Sequence, residues 1–351
     1  MKIGVIFGGM STENEVSVVS ATSVIKNLDN NKYKIKPIYI SKQGKWYICK
    51  EDLSKLKLGD KPKNLIEIEN ITKELQECET IFPVLHGLYG EDGTIQGMLK
   101  LLKIPYVGCG VLASSVGMDK IYTKILFKTA GLEITPYIYV KKLKQNNNKN
   151  TFKIITQEFN EQEKELKDIC NDIISKIKWP IFVKPSNSGS SVGVKKANNV
   201  EELENAIINA GKYDDKIIVE QGIEGKEVEC AVLGNDNVVA SCVGEIVPAE
   251  EFYSFDAKYI DENSKTLIPA NLEKNISEEI RKQAIKAFKS IDGKGLARVD
   301  FFVEKTTNKI YINEINTMPG FTNISMYPKL FEESGIKYSE LLDRLILLAK
   351  E

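Results

Sequence analysis

Near its C-terminal end the chain carries two runs, 297–303 and 310–316, that alternate apolar and polar residues around the polar break Thr306-Thr307-Asn308. Period-2 alternation rich in aliphatic and aromatic residues predicts two β-strands joined by a hairpin turn. With the hairpin symmetric about Thr307, Asp300 falls opposite Glu314, and the pleat puts Arg298, Asp300, Glu314 and Asn316 on one face. Two carboxylates and an amide oxygen on a rigid sheet are the hard ligands that Mg²⁺ takes when phosphates share its coordination shell. A solvated strand face with an ion pair has the same composition, but here the polar residues alternate with those of a buried sheet.

A chain of 351 residues exceeds one ordinary core, so two or three domains are expected. Lysine plus arginine number 48 and aspartate plus glutamate 49, interleaved along the chain to a net charge of -1. That balance argues against nucleic acid or an anionic membrane as the main partner and toward a small substrate. Six scattered cysteines without a CxxC pair, and the single histidine His86, argue against structural zinc and a disulfide framework. The apolar run at the N-terminus is too short for a signal peptide, and no stretch approaches the roughly 18 apolar residues of a membrane span. A cytoplasmic protein is expected.

Strands at 2–7, 34–40 and 80–85 with a helix at 13–28 predict a parallel, doubly wound sheet in a first domain, residues 1–108. A second, 109–216, holds a helix at 120–129, strands at 135–141 and 181–184, and the asparagine-rich loop 145–150. The third, 217–351, holds the hairpin and a closing amphipathic helix at 339–350. Within it, 247–269 is rich in Tyr, Asp and Lys with little periodicity, as a lid or binding loop would be.

The first strand runs into Gly8-Gly9-Met10-Ser11-Thr12-Glu13-Asn14-Glu15-Val16-Ser17, a tight turn into a helix N-terminus that favours anions. Thr12 and Glu15 fit a capping box; alternatively the Glu15 carboxylate holds a substrate ammonium. His86-Gly87-Leu88-Tyr89-Gly90-Glu91-Asp92-Gly93-Thr94 stands at the carboxyl end of a parallel strand, where open α/β sheets bind ligands. His86 reads as a site-lining or a structural histidine, and Glu91 and Asp92 as site acids or helix caps. Lys184 ends a strand before the Ser/Gly loop 186–193, which can close over phosphates and offer N–H donors. The loop lacks the Walker order GxxxxGK[ST]. Lys120 is a second candidate phosphate ligand. The segment 217–227, with Glu220, Glu224 and Glu227 beside a buried strand, suits an adenine amino group and ribose hydroxyls.

In this order the segments resemble the ATP-grasp ligases, and within them the D-alanine–D-alanine ligases, from residue 3 to about 348 and weakly only around 46–77 and 143–178. The resemblance rests on Glu15-Val16-Ser17, His86-Gly87 with Gly90-Glu91-Asp92-Gly93-Thr94-Ile95-Gln96-Gly97, Met118-Asp119-Lys120, Gly189-Ser190-Ser191-Val192-Gly193, Lys258-Tyr259, Arg298-Val299-Asp300, and Asn313-Glu314-Ile315-Asn316-Thr317-Met318-Pro319-Gly320-Phe321-Thr322. It implies an α/β (α+β) ATP-grasp fold with an N-terminal doubly wound domain.

The resemblance also implies roles. Lys120, Lys184 and Lys258 match ATP ligands, with Ser191 in the loop that covers the triphosphate. Glu220, Ile223 and Glu227 match adenosine-pocket positions, while Gln221 stands where many relatives carry lysine. Asp300, Glu314 and Asn316 match ligands of two Mg²⁺ (or Mn²⁺) ions. Glu15 matches the holder of the first D-alanine's ammonium, linked through Ser190 to Tyr259 on the lid, with His86 beside the substrate. Arg298 and the Gly320 N–H match oxyanion donors, and Ser325 a ligand of the second D-alanine's carboxylate. The implied reaction makes D-alanyl-D-alanine for peptidoglycan from ATP and two D-alanines through an acylphosphate, in a cytoplasmic homodimer. A ligase joining D-alanine to D-serine or D-lactate is the alternative, and a nucleotide-binding regulator without turnover the remote one.

Overall fold

The computed structural model describes residues 1–53, 56–143, 151–156, 159–247 and 265–351. Three sheets organise them. The first takes the order β4-β3-β2-β1-β5, from β1 (Lys2–Gly8), β2 (Lys34–Ile40), β3 (Trp46–Cys49), β4 (Leu65–Glu67) and β5 (Thr80–Val84). β1 pairs in parallel with β2 and β5, as the strand–helix alternation predicts. β3 and β4 add an antiparallel edge, so the sheet is mixed. These two strands are short and lie in a segment without strong alternation, which is why the sequence does not announce them.

The second sheet is antiparallel, in the order β10-β9-β11-β6-β7-β8. Its strands are β6 (Tyr137–Lys142), β7 (Phe152–Ile155), β8 (Glu161–Lys164), β9 (Ile181–Pro185), β10 (Lys195–Ala197) and β11 (Lys216–Gln221). Helices Leu166–Lys176 and Val200–Ala210 bury Ile169, Ile173, Leu203 and Ile207 against one face. The third sheet, β14-β13-β12-β15-β16, comprises β12 (Gly225–Leu233), β13 (Val239–Val247), β14 (Lys265–Leu267), β15 (Leu296–Glu304) and β16 (Ile310–Asn316). Val228, Cys230, Val299 and Phe301 pack on Ile280, Ala284 and Phe288 of the amphipathic helix Lys274–Ser290.

Packing crosses the expected domain boundaries. Cys109, Ala113 and Phe127, expected in the second domain, join the core of the third sheet. The C-terminal helices Met326–Glu333 and Tyr338–Leu348 share a core with the first sheet, where Phe82 meets Phe321 edge-on at 5.5 Å. Both helices are amphipathic and cover apolar surface of a sheet far away in sequence. Among the described residues no helix is long and apolar enough to cross a membrane. Most of the expected lid, 248–264, lies outside the described residues; 265–267 forms β14.

The hairpin keeps the predicted register at its functional end, with Asp300 opposite Glu314 and Arg298 opposite Asn316. Nearer the turn the pairing shifts to Phe301 opposite Ile312. Asn313 is therefore the extra residue of a β-bulge, a device that re-aims side chains.

Candidate active site

The three sheets meet at a cleft of about 500 Å³. Its first wall is the turn after β1. Gly8 has φ +91°, and a Cβ there would stand 2.2 Å from the Ile40 carbonyl oxygen, so only glycine fits this approach to β2. Ser11 then donates to the His86 carbonyl (2.6 Å) and accepts from the Glu13 N–H (3.1 Å), and the helix Asn14–Asn27 begins. Glu13 is its N-cap, without a side-chain cap bond, so no Thr12–Glu15 capping box forms.

This start decides which glutamate serves the cleft. Glu13 lines it, 6% exposed, and accepts a hydrogen bond from the Ser190 hydroxyl. Its carboxylate sits between two glycines: a Cβ at Gly87 or Gly189 would come within 2.5 or 2.6 Å of Glu13 Oε2. Glu15, the residue expected to hold the ammonium and bond Ser190, is half-exposed and pairs with Lys42 at 3.0 Å. The bond to Ser190 expected of Glu15 is thus corrected: Glu13 makes it. Two positions around a helix turn a side chain by about 200°, so the two carboxylates face opposite ways.

His86 is buried, its Nε2 2.9 Å from Ser20 Oγ and its Nδ1 3.1 Å from the Met318 carbonyl oxygen. Burial pushes its pKa down to about 4, so the ring is neutral, with the Nδ1 proton toward the carbonyl. Glu91, beside it, accepts from the Gly87 N–H (2.9 Å) and the Met318 N–H (3.3 Å). Removal from water and the neighbouring Glu13 charge push its carboxyl up to about 8. Both residues grip Met318, and Ser20 accepts from the Phe321 N–H (3.3 Å), so side chains of the first hundred residues hold the strand-end segment on either side of Gly320.

The second wall carries the cations. Lys184, at the end of β9, pairs with Glu220 Oε2 at 2.8 Å and reaches toward Asn313 Oδ1 at 3.5 Å. Lys120 donates to the Ser188 carbonyl (2.8 Å) and stands 3.6 Å from Glu314. The loop between them is rooted at Asp119, which caps the helix Lys120–Thr129, accepts from Ser186 Oγ (2.7 Å) and pairs with Lys216. Ser190 and Ser191 have φ of +47° and +60°, a left-handed conformation uncommon outside glycine. Such strain is found where a fixed backbone shape serves a ligand.

The floor is the third sheet. Arg298 donates to both oxygens of Asp300 at 2.7 Å and stands 3.1 Å from Glu229, and Asn316 Nδ2 donates to Asp300 at 3.0 Å. Asp300 is buried beneath the cleft; Glu314, Asn316, Asn313 and Arg298 line it. Despite burial, Asp300 and Glu229 hold the guanidinium well above its usual range. Among the described residues no three His, Cys, Asp or Glu groups form a metal cage. The donor set of two carboxylates and one amide fits Mg²⁺ whose remaining ligands are phosphate oxygens.

Glu220, Ile223, Glu227, Ser191, Gly320 and Ser325 line the cleft as well. Ser325 Oγ accepts from the Thr322 N–H at 3.0 Å. Lys258 and Tyr259 lie outside the described residues. Glu13 as a cleft residue, Asn313 and the buried Lys124 were not singled out in the sequence; only the neighbourhood of Glu13 to the expected Glu15 hinted at one of them.

Two family models match the chain: D-ala D-ala ligase N-terminus over residues 2–109 and D-ala D-ala ligase C-terminus over 126–347. The chain belongs to the D-alanine–D-alanine ligase family. It is 48% identical to the D-alanine–D-alanine ligase of Acetivibrio thermocellus, over 99% of this chain and 95% of that protein. To the D-alanine–D-alanine ligase of Caldicellulosiruptor bescii it is 47% identical, over 100% and 95%. Among solved structures, the VanG D-Ala:D-Ser ligase from Enterococcus faecalis superposes with a TM-score of 0.83 at 34% identity, covering 99% of both chains. The D-alanine–D-alanine ligase from Coxiella burnetii gives 0.79 at 33% identity, over 99% of this chain and 93% of that one. The ligase family match thus spans all three sheets that build the cleft.

Proposed function

We propose that this chain is an ATP-dependent ligase that joins two D-alanine molecules, releasing ADP and phosphate, and so supplies the D-alanyl-D-alanine of peptidoglycan. The observation that carries this reading is that a buried carboxylate, Glu13, a lysine pair, Lys120 and Lys184, and the paired Asp300–Glu314 hairpin all meet at one cleft.

Glu13 holds the ammonium of the first D-alanine by a charge-assisted hydrogen bond and leaves its carboxylate toward Lys120 and Lys184. That carboxylate attacks the γ-phosphorus of ATP; the bond to ADP breaks and an acylphosphate forms. Lys120 and Lys184 offset the charge on the phosphates, and the 186–193 loop offers backbone N–H donors. Asp300, Glu314 and Asn316 would hold two Mg²⁺ or Mn²⁺ ions, which supply further neutralisation of phosphate charge when bound. The uncharged amine of the second D-alanine, its carboxylate toward Ser325, then attacks the acyl carbon. Arg298 and the Gly320 N–H stabilise the oxyanion, and phosphate leaves, taking up the proton that the attacking nitrogen gives up. Glu220, Ile223 and Glu227 form the adenosine end. The segment 247–269, with Lys258 and Tyr259, closes the cleft against water, and the enzyme works as a cytoplasmic homodimer.

Product identity tests the reading. With D-alanine, D-serine and D-lactate in competition and ATP present, mass spectrometry should find D-alanyl-D-alanine as the main product. Predominant D-alanyl-D-serine or the D-lactate ester would reassign the acceptor, and absence of ADP release on adding D-alanine would overturn ligation itself.

A further inference from the structure

Lys124 is sealed inside the protein at 1% exposure, one helical turn beyond Lys120. Its ammonium lies 2.7 Å from Glu220 Oε1 and donates to Thr135 Oγ1 at 3.1 Å, and the Thr135 hydroxyl donates to the same carboxylate oxygen at 2.7 Å. Lys184 holds the other oxygen of Glu220 at 2.8 Å. One buried carboxylate thus carries two lysines. The two are not equivalent, because Lys184 opens into the cleft toward Asn313 whereas Lys124 does not line it.

The proposed chemistry asks Lys184 to face the phosphates of ATP. When it turns to them, Glu220 loses one cation in a place where an isolated charge is strongly penalised. Two outcomes then compete: Glu220 keeps Lys184, or a second cation balances Glu220 so that Lys184 can leave. The groups that face this cluster are Lys124 on its helix, Lys184 on β9, Tyr137 on β6, Glu227 on β12 and Glu314 on β16. Burial pushes the Lys124 ammonium down, against the pull of Glu220. Burial also pushes the Glu220 carboxyl up, but Lys124 and Lys184 together hold it well below the usual carboxylate range.

We propose that Lys124 is the resident counterion of Glu220, a positioning residue that releases Lys184 to the nucleotide phosphates and thereby sets nucleotide affinity without touching the nucleotide. The proposal rests on the reading of this cleft as an ATP site. It makes Lys124 necessary only because Glu220 is charged.

The test measures binding of a non-hydrolysable ATP analogue with Mg²⁺ by calorimetry on the full chain, for the wild type, Lys124→Met, Glu220→Gln and the double variant. Lys124→Met should weaken binding roughly tenfold or more, since Glu220 then retains Lys184. The double variant should bind within about threefold of Glu220→Gln alone, because a neutral amide needs no counterion. A purely structural lysine gives no such rescue. Wild-type affinity in Lys124→Met, or a double variant roughly tenfold weaker than Glu220→Gln, would overturn the proposal. If Lys124→Met does not fold, the comparison of Glu220→Gln with the double variant decides alone. Failure of the wild type itself to bind the analogue would instead overturn the ATP reading.

Discussion

The Ser190 hydroxyl donates to the Glu13 carboxylate across 177 residues of chain, tying the turn after β1 to the loop after β9. Both ends are fixed locally, Glu13 as the N-cap of its helix and Ser190 by a left-handed backbone. The bond therefore fixes the Glu13 carboxylate relative to the loop after β9. Glycines on both sides of the carboxylate leave no room for a methyl group.

We predict that Glu13→Gln lowers kcat/KM for D-alanine by about 100-fold, since a charge-assisted bond to the ammonium is lost. Glu15→Gln should stay within about threefold of wild type, because its partner is the exposed Lys42. Steady-state kinetics of the two variants checks this, and the reverse order would restore Glu15 to the site.

Glu314→Gln should nearly abolish ligation while leaving thermal unfolding within about 0.5 kcal/mol of wild type. Its side chain lines the cleft near Lys120 rather than filling the core. Turnover within a few-fold of wild type at saturating Mg²⁺ would sink the metal assignment.

Lys120→Ala and Lys184→Ala should raise the KM for ATP and slow phosphoryl transfer, because in the proposed reaction each faces polyphosphate charge. Ser325→Ala should instead raise the KM for the second D-alanine about tenfold. Initial rates with each substrate varied in turn separate the two; an effect of Ser325→Ala confined to ATP would contradict the role of Ser325.

Glu91 supplies a pH prediction. Its folded-state pKa, about 8, lies above the ordinary 4.5, so the folded protein keeps a proton that the unfolded chain loses. The associated stability is fully present below pH 4.5 and is lost as pH rises through about 8. Glu91→Gln removes this dependence, so its Tm relative to wild type should climb between pH 5 and pH 9. Chemical or thermal denaturation across that range gives the measurement, and parallel curves for the two proteins would contradict the shifted carboxyl.

The sequence by itself determined the local patterns. Alternation around Thr306-Thr307-Asn308 was enough to place Asp300 opposite Glu314, because a strand has only two faces and register follows from which is apolar. Apolar spacing likewise placed the helix Lys120–Thr129, and strand–helix alternation the parallel pairing of β1 with its neighbours. Tertiary structure alone decided which polar groups share a cleft. Glu13 and Glu15 are equally acidic and two residues apart, and only the position of the helix start and of Ser190 puts one in the cleft and the other in a surface ion pair. Lys120 and Lys124 lie on one helical face, yet one reaches the cleft and the other is sealed against Glu220. The bulge at Asn313 and the grip of His86 and Glu91 on Met318 are of the same kind. Local propensity sets how a segment folds, but burial and charge pairing are properties of segments that meet only when the sheets pack.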